Sequence, residues 1–215
     1  MSGFPLILSS PSGGGKTTIA HELLKRRQDL GYSVSCTTRS PRPAESDGTD
    51  YFFLTRVAFV AARNRGEFAE SAEVHGDLYG TLRREVDRVL ASGRHVVMDI
   101  DVQGARQFAE VYPSSVLVFI LPPDTDVLLE RLKARKTENK EAFERRLNSA
   151  LKELQSIGMY HYVVVNEDLE KAVQAISSII DAEGMRTARM TRLGEQVGEL
   201  VVGLENELKN NKGNN

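Results

Sequence analysis

The stretch Leu6-Ile7-Leu8-Ser9-Ser10-Pro11-Ser12-Gly13-Gly14-Gly15-Lys16-Thr17-Thr18 decides how the rest of this chain is read. The apolar run from Phe4 to Leu8 has the length and branching of a buried strand, and the helical spacing of Ile19, Leu23 and Leu24 begins directly after the turn. Strand, glycine-rich turn and helix, closing on Gly15-Lys16-Thr17, form the context of a phosphate-binding loop. Glycines let backbone N–H groups turn inward around an anion without Cβ clashes, and the helix start adds partial positive charge. Lys16 is placed to reach the outer phosphates of a nucleoside triphosphate, and the Thr17 hydroxyl to bind Mg2+. Ser10 stands where the pattern G-x-x-x-x-G-K-[ST] has its first glycine. The blander alternative is a glycine-rich loop that only caps a helix. The loop by itself names a ligand class, not a reaction.

The 215 residues suit one compact domain with small inserted subdomains. A content of 40% hydrophobic and 27% charged residues is ordinary for a globular chain, and a net charge of -2 offers no general attraction for nucleic acid. Cys36 is the only cysteine, so no intrachain disulfide forms and a reducing compartment fits. No charged leader precedes the first strand, and no run nears the ~20 apolar residues of a membrane span. The expectation is a cytoplasmic protein with no membrane contact. The four histidines are scattered, with no metal-type His/Cys cluster and no internal repeat.

Outward from the loop, the pattern predicts a helix over residues 17–29 that Gly31 ends, then a strand from Ser33 to Thr38. A proline-punctuated loop carries Arg39 and Arg42, whose planar forks suit phosphate oxygens. Residues 46–56 read as a strand, Val57 to Asn64 as a helix, Phe68 to Val74 as an alternating strand and Gly76 to Thr81 as a turn. Glu70 lies in that segment; a buried carboxylate costs several kcal/mol unless paired with donors, so pattern alone places it on the surface. A helix over 82–91 precedes His95-Val96-Val97-Met98-Asp99-Ile100-Asp101, an apolar strand ending in acids. Beside a phosphate loop such aspartates hold Mg2+ directly or through water; the bland alternative is a strand-end turn with solvated carboxylates.

Ala105 to Val111 reads as a helix, Val116 to Leu121 as a parallel strand buried on both faces, and Asp126–Arg135 and Glu141–Leu154 as a helix pair. Arg131, Arg135, Arg145 and Arg146 cluster there, either as a solvated face or as a flap bringing guanidinium groups over a transferring phosphoryl. Tyr162 to Val165 is a last strand and Leu169 to Ala182 an amphipathic helix. Residues 185–208 are helix-prone, with Val197, Leu200, Val201, Leu204 and Leu208 on one stripe that could dock on the core or on a second subunit; Lys209 to Asn215 reads as disordered.

Alternating strands and helices after an N-terminal phosphate loop imply an α/β fold, a doubly wound parallel sheet with helices on both faces. The chain resembles the guanylate kinases over about residues 4–183. The resemblance rests on Ser35-Cys36-Thr37-Thr38-Arg39-Ser40-Pro41-Arg42-Pro43-Ala44-Glu45, on Asp47-Gly48-Thr49-Asp50-Tyr51-Phe52-Phe53, on Glu70-Ser71-Ala72-Glu73-Val74-His75-Gly76-Asp77-Leu78-Tyr79-Gly80-Thr81 and on Asp99-Ile100-Asp101-Val102-Gln103-Gly104. It implies phosphoryl transfer from ATP to GMP, and to dGMP, with Mg2+ as cofactor, in purine nucleotide metabolism. It also implies a division of residues 1–183 into a core (1–32, 84–125 and 159–183), a small mixed β GMP-binding subdomain (33–83) and a helical lid (126–158), followed by an extension over 184–215. By the same resemblance Arg39, Arg42, Tyr51 and Tyr79 would hold the GMP phosphate, and Ser35, Glu70, Thr81 and Asp101 would read guanine. Ser10, Pro11, Ser12, Gly13, Gly14, Gly15, Lys16, Thr17 and Thr18 would hold the ATP phosphates, with Asn166 near the adenine. Thr17, Asp99 and Asp101 would organise Mg2+, and Lys16, Arg39, Arg131, Arg135 and Arg146 would be catalytic.

The chain departs from the family pattern at Ser10, at Lys136, where Arg-Gly-Thr-Glu is usual, and beyond Gly184. Guanylate-kinase-like scaffolds that bind protein partners lack the phosphate loop; Gly15-Lys16-Thr17 and the arginines argue for an enzyme. Glu70, Ser35 and Thr81 argue against a kinase for another nucleoside monophosphate. A homodimer through the extension is the expected protein partner.

Overall fold

The computed structural model describes residues 3–11, 13–74, 76–133 and 140–213. The elements run β1 (Pro5–Ser9), α1 (Lys16–Arg26), β2 (Leu30–Tyr32), β3 (Cys36–Thr37), β4 (Phe52–Phe53), α2 (Arg56–Asn64), β5 (Phe68–Val74) and β6 (Asp77–Leu82). Then come α3 (Arg83–Ala91), β7 (His95–Asp99), α4 (Val102–Val111), β8 (Val116–Leu121), α5 (Thr125–Lys133), α6 (Lys140–Gln155), β9 (Tyr162–Val165), α7 (Leu169–Gly184) and α8 (Leu193–Gly213).

Five parallel strands form the main sheet in the order β2-β7-β1-β8-β9. The alternation of side chains along β1 explains the layers. Leu6 and Leu8 face a cluster completed by Ile19 and Leu23 of α1 and Val173 and Ile176 of α7. Ile7 faces the other side, with Val86 and Val89 of α3 and Phe108 of α4. A strand buried on both faces carries a continuous apolar run, as β8 does throughout and β1 does up to Ser9. β1 lies between β7 and β8: the chain first runs from β1 to β2 and β7 on one side, then crosses to β8 and β9 on the other. The crevice at the carboxyl end of β1 is where such sheets bind ligands.

A second, mixed sheet has the order β4-β3-β6-β5, with β3 and β4 parallel and the other pairs antiparallel. Its core joins Phe68 to Phe59 of α2, the rings stacked at 4.4 Å. Helices α5 and α6 pack on each other through Leu128, Leu132 and Ala150, with Phe143 and Leu147 alongside.

Several elements differ from the sequence reading. α1 stops at Arg26, and Gly31, instead of ending a helix, pairs with Val96 inside β2. The strand read over residues 46–56 shrinks to Phe52–Phe53, because Asp47 and Asp50 side chains accept the N–H groups of Phe53 and Ser46 at 2.8 Å each and hold the chain in a turn. The turn read over 76–81 is largely strand: Asp77 pairs with Val74 and the hairpin continues to Leu82. α4 begins at Val102, because Asp101 caps it, accepting the Gly104 N–H at 2.7 Å. At the far end α8 runs on through Gly213, so the residues read as disordered from Lys209 are helical that far; Asn214 and Asn215 lie outside the described residues.

Glu183 anchors the segment before α8. Its carboxylate, 3% exposed, accepts the Tyr162 hydroxyl at 2.7 Å and Arg189 Nη2 at 3.1 Å. The stripe of α8 is not docked on the core: Val197, Leu200, Val201, Leu204 and Leu208 are 46 to 68% exposed.

Candidate active site

The loop after β1 is built around its glycines. Gly13 and Gly15 hold φ at +84° and +91°, a left-handed conformation that a side chain resists. Ser10 is buried, its hydroxyl donating to the Pro11 carbonyl at 3.0 Å, and the Gly14 N–H donates to the same carbonyl at 2.8 Å. Ser10 packs so closely that a Cβ on Gly14 would lie 2.5 Å from its own. The serine therefore fits the loop. Asn166 at the end of β9 is also buried and donates from Nδ2 to the Gly14 carbonyl at 3.1 Å. Lys16, Thr17 and Thr18 open α1. Ser12 lies outside the described residues.

The Thr17 hydroxyl donates to Asp99 Oδ2 at the end of β7, next to Leu8 of β1. The other oxygen, Oδ1, accepts the Tyr32 hydroxyl at 3.0 Å. Asp101, two residues on, has left the strand. It caps α4 and faces Glu70. The two aspartates thus have different partners.

Glu70 corrects the sequence reading that placed it on the surface: it is 6% exposed. A bulge between Phe68 and Glu70 interrupts the alternation of β5, so Phe68 packs against α2 while Ala69 and Glu70 turn toward α4. Glu70 Oε1 accepts the hydroxyl of Thr81, its register partner on β6, at 2.7 Å. A Cβ on Gly104 would lie 2.7 Å from Oε2. Only glycine leaves room for the carboxylate there. Burial pushes the Glu70 carboxyl up to about 7; the Thr81 hydroxyl lowers it in part, and the charge of Asp101 raises it further. Ser35 is half-buried on the approach to β3, where its carbonyl accepts the Phe52 N–H at 2.9 Å.

At the mouth of the second sheet, Arg39 lies over the Tyr51 ring, 5.6 Å from its centroid, and Tyr51 meets Tyr79 edge-on at 6.0 Å. Glu45 organises this corner: it accepts Arg39 Nη2 and the Arg42 N–H, each at 2.8 Å. The Arg42 side chain remains exposed. From α5, Arg131 sits over the phosphate loop, its Cβ 3.0 Å from where a Cβ on Gly13 would be, and its Nη1 is buried without an acceptor. Arg146, 6% exposed, donates from Nη1 to the Leu132 carbonyl at 3.3 Å and is packed between the two helices. Arg135 lies outside the described residues.

The family model described as guanylate kinase matches residues 2–183. The chain belongs to the guanylate kinase family. It is 44% identical over 183 residues to the guanylate kinase of Nitrosospira multiformis, covering 85% of this chain and 87% of that one. It is 45% identical over 189 residues to the guanylate kinase of Thermotoga maritima, covering 88% and 91%. The crystal structure of guanylate kinase from Anaplasma phagocytophilum superposes with a TM-score of 0.74 at 37% identity, covering 90% of this chain and 93% of that one.

Within this guanylate kinase chain, Glu70, Thr81 and Asp101 come together, and so do Arg39, Tyr51 and Tyr79. Lys16, Thr17 and Asp99 gather at the loop, under Arg131. Asp101 stands with Glu70 and not with Thr17, and Asn166 meets the loop backbone. Tyr32, Glu45 and Gly104 escaped the sequence reading. Glu45 and Gly104 stood in the quoted motifs without a role, and a partly buried Tyr carries no local signal.

Proposed function

We propose that this chain transfers the γ-phosphoryl group of ATP to the phosphate of GMP, releasing ADP and GDP, in the synthesis and recycling of guanine nucleotides. The observation that carries this reading is the buried Glu70–Thr81 pair beside Asp101, a set of acceptors whose Asp101 lies two residues beyond Asp99, the partner of Thr17 in the glycine loop. Guanine presents adjacent N1–H and N2–H2 donors to such acceptors. Adenine presents a lone pair at N1 and would leave the carboxylate unsatisfied, at a cost of ~1–3 kcal/mol or more. The residues proposed for GMP contact base and phosphate, none of them the 2′ position, so dGMP should serve as well.

No side chain is needed as a nucleophile. A phosphate oxygen of GMP attacks the γ-phosphorus in line as the bond to the ADP oxygen breaks, and the chain's task is alignment and charge neutralisation. Arg39, Arg42, Tyr51 and Tyr79 hold the acceptor phosphate; Lys16 and the loop amides hold the donor. The buried, acceptor-free Nη1 of Arg131 supports an anion over Gly13. Arg135 and Arg146 belong to the proposed lid, whose closure over the cleft keeps water from the γ-phosphate.

Among the described residues no group of three or more His, Cys, Asp or Glu could hold a metal alone. The Thr17 hydroxyl beside the Asp99 carboxylate nonetheless fits Mg2+, which takes one or two protein oxygens together with phosphate oxygens and water. When bound there it would neutralise charge between the outer phosphates of ATP. Asp101 would reach it only through water.

No helix among the described residues is long and apolar enough to cross a membrane. A buried, unpaired Cys36 suits a reducing cytoplasm. The exposed stripe of α8 supports a homodimer: its five large apolar side chains lie on one face, largely open to solvent, and a second copy would cover them.

A coupled assay of ADP release tests the main reading across GMP, dGMP, AMP, CMP and UMP. Turnover should be confined to GMP and dGMP, and equal use of AMP would overturn the assignment.

A further inference from the structure

Asp99 is held at both oxygens, and its two partners differ in kind. Thr17 lies in the loop that would meet the nucleotide, and its oxygen can ligate a cation while its hydrogen still points to Asp99. Tyr32 comes from β2, outside the loop. Its backbone pairs with Val97 of β7, and the phenol extends toward the carboxyl end of the sheet to donate to Asp99 Oδ1 at 3.0 Å. The ring meets His21 of α1 edge-on at 6.1 Å. Among the described residues Tyr32 is the partner that holds Asp99 from outside the loop.

We propose that Tyr32 is a positioning residue: its hydrogen bond to Oδ1 fixes the Asp99 rotamer and keeps Oδ2 turned toward Thr17, so that hydroxyl and carboxylate present a ready pair to the cation carried by the nucleotide. This rests on the kinase reading above. A half-exposed aspartate at a strand end otherwise has several rotamers, and a neighbour that orients a ligating carboxylate typically changes metal affinity 10- to 100-fold.

Tyr32→Phe removes the hydroxyl and keeps the ring. Mn2+ is titrated into the full chain with a non-hydrolysable ATP analogue and followed by electron paramagnetic resonance. Mn2+ should bind about 10- to 100-fold more weakly in the variant, while GMP affinity by calorimetry stays within about twofold. In turnover, lost kcat should recover as Mg2+ is raised, with the KM for GMP unchanged. Unchanged Mn2+ affinity overturns the proposal, and so does a parallel loss of Mn2+ and GMP binding, which marks a merely structural role. In an Asp99→Asn background Tyr32→Phe should cost no further Mn2+ affinity, and an additive loss overturns it as well. Failure of the wild-type chain to bind Mn2+ with the analogue would count against the kinase reading instead.

Discussion

Glu70→Gln separates what the folded chain tolerates from what the substrate requires. The substitution keeps size and the acceptor for the Thr81 hydroxyl, and exchanges the second carboxylate oxygen for an NH2 group. The Glu70 carboxyl stands at about 7 against an ordinary 4.5, chiefly through burial. At about 1.36 kcal/mol per pH unit, the ionised form costs the folded state ~3 kcal/mol above that value. Because the pKa is raised on folding, the native chain binds this proton more tightly than the unfolded one. The stabilising contribution is complete below about pH 4.5 and lost as the pH rises through about 7. Glutamine has no charge to desolvate. The ligand-free variant should therefore melt about 5–10 °C higher than wild type at about pH 8, the gap closing toward about pH 5.

Catalysis should move the other way. Losing one charge-assisted bond of ~1.5–3 kcal/mol lowers kcat/KM for GMP by about 10- to 100-fold, with the KM for ATP nearly unchanged. Wild-type GMP affinity should also fall roughly tenfold from about pH 8 to about pH 6, since guanine binds the ionised form. The phosphate of GMP titrates in both proteins, so the difference between the two pH profiles isolates Glu70. The assays are scanning calorimetry without ligand and steady-state kinetics with each substrate varied. A variant no more stable than wild type at about pH 8, or one that loses ATP and GMP equally, would refute the reasoning.

Lys16→Ala should abolish phosphoryl transfer and leave the melt intact, because Lys16 faces the loop and not the core; near-normal turnover in the folded variant would remove the phosphate-loop assignment. In Gly104→Ala the new methyl collides with Glu70 Oε2. The KM for GMP should rise at least tenfold, as expected for ~1–3 kcal/mol of disturbed polar contact, with ATP binding measured by calorimetry unaffected. A chain ending at Gly184 should keep GMP kinase activity, since the family match ends at residue 183. By analytical ultracentrifugation it should sediment as a monomer while the full chain dimerises, and identical sedimentation would exclude α8 as the dimer contact.

Features that arise between near neighbours can be read from the residues alone. β1, the glycine loop and α1 were legible because an apolar run, a turn and a 3.6-residue period are set by residues a few positions apart. Val116–Leu121 announced a doubly buried strand for the same reason. Where side chains compete with the ladder, as Asp47 and Asp50 do, the local signal misled and a strand became a turn. Tertiary structure decided the rest. The burial of Glu70 follows from a bulge opposite β6 and the approach of Gly104, 34 positions away in the numbering. Asp99 and Asp101 look alike in sequence and part company because one ends a strand while the other caps a helix. Tyr32 reaches Asp99 only because β2 pairs with β7 across 67 residues. Such encounters depend on which elements pack together, and the free energy of that packing is collected from the whole core, so no window of neighbouring residues encodes it.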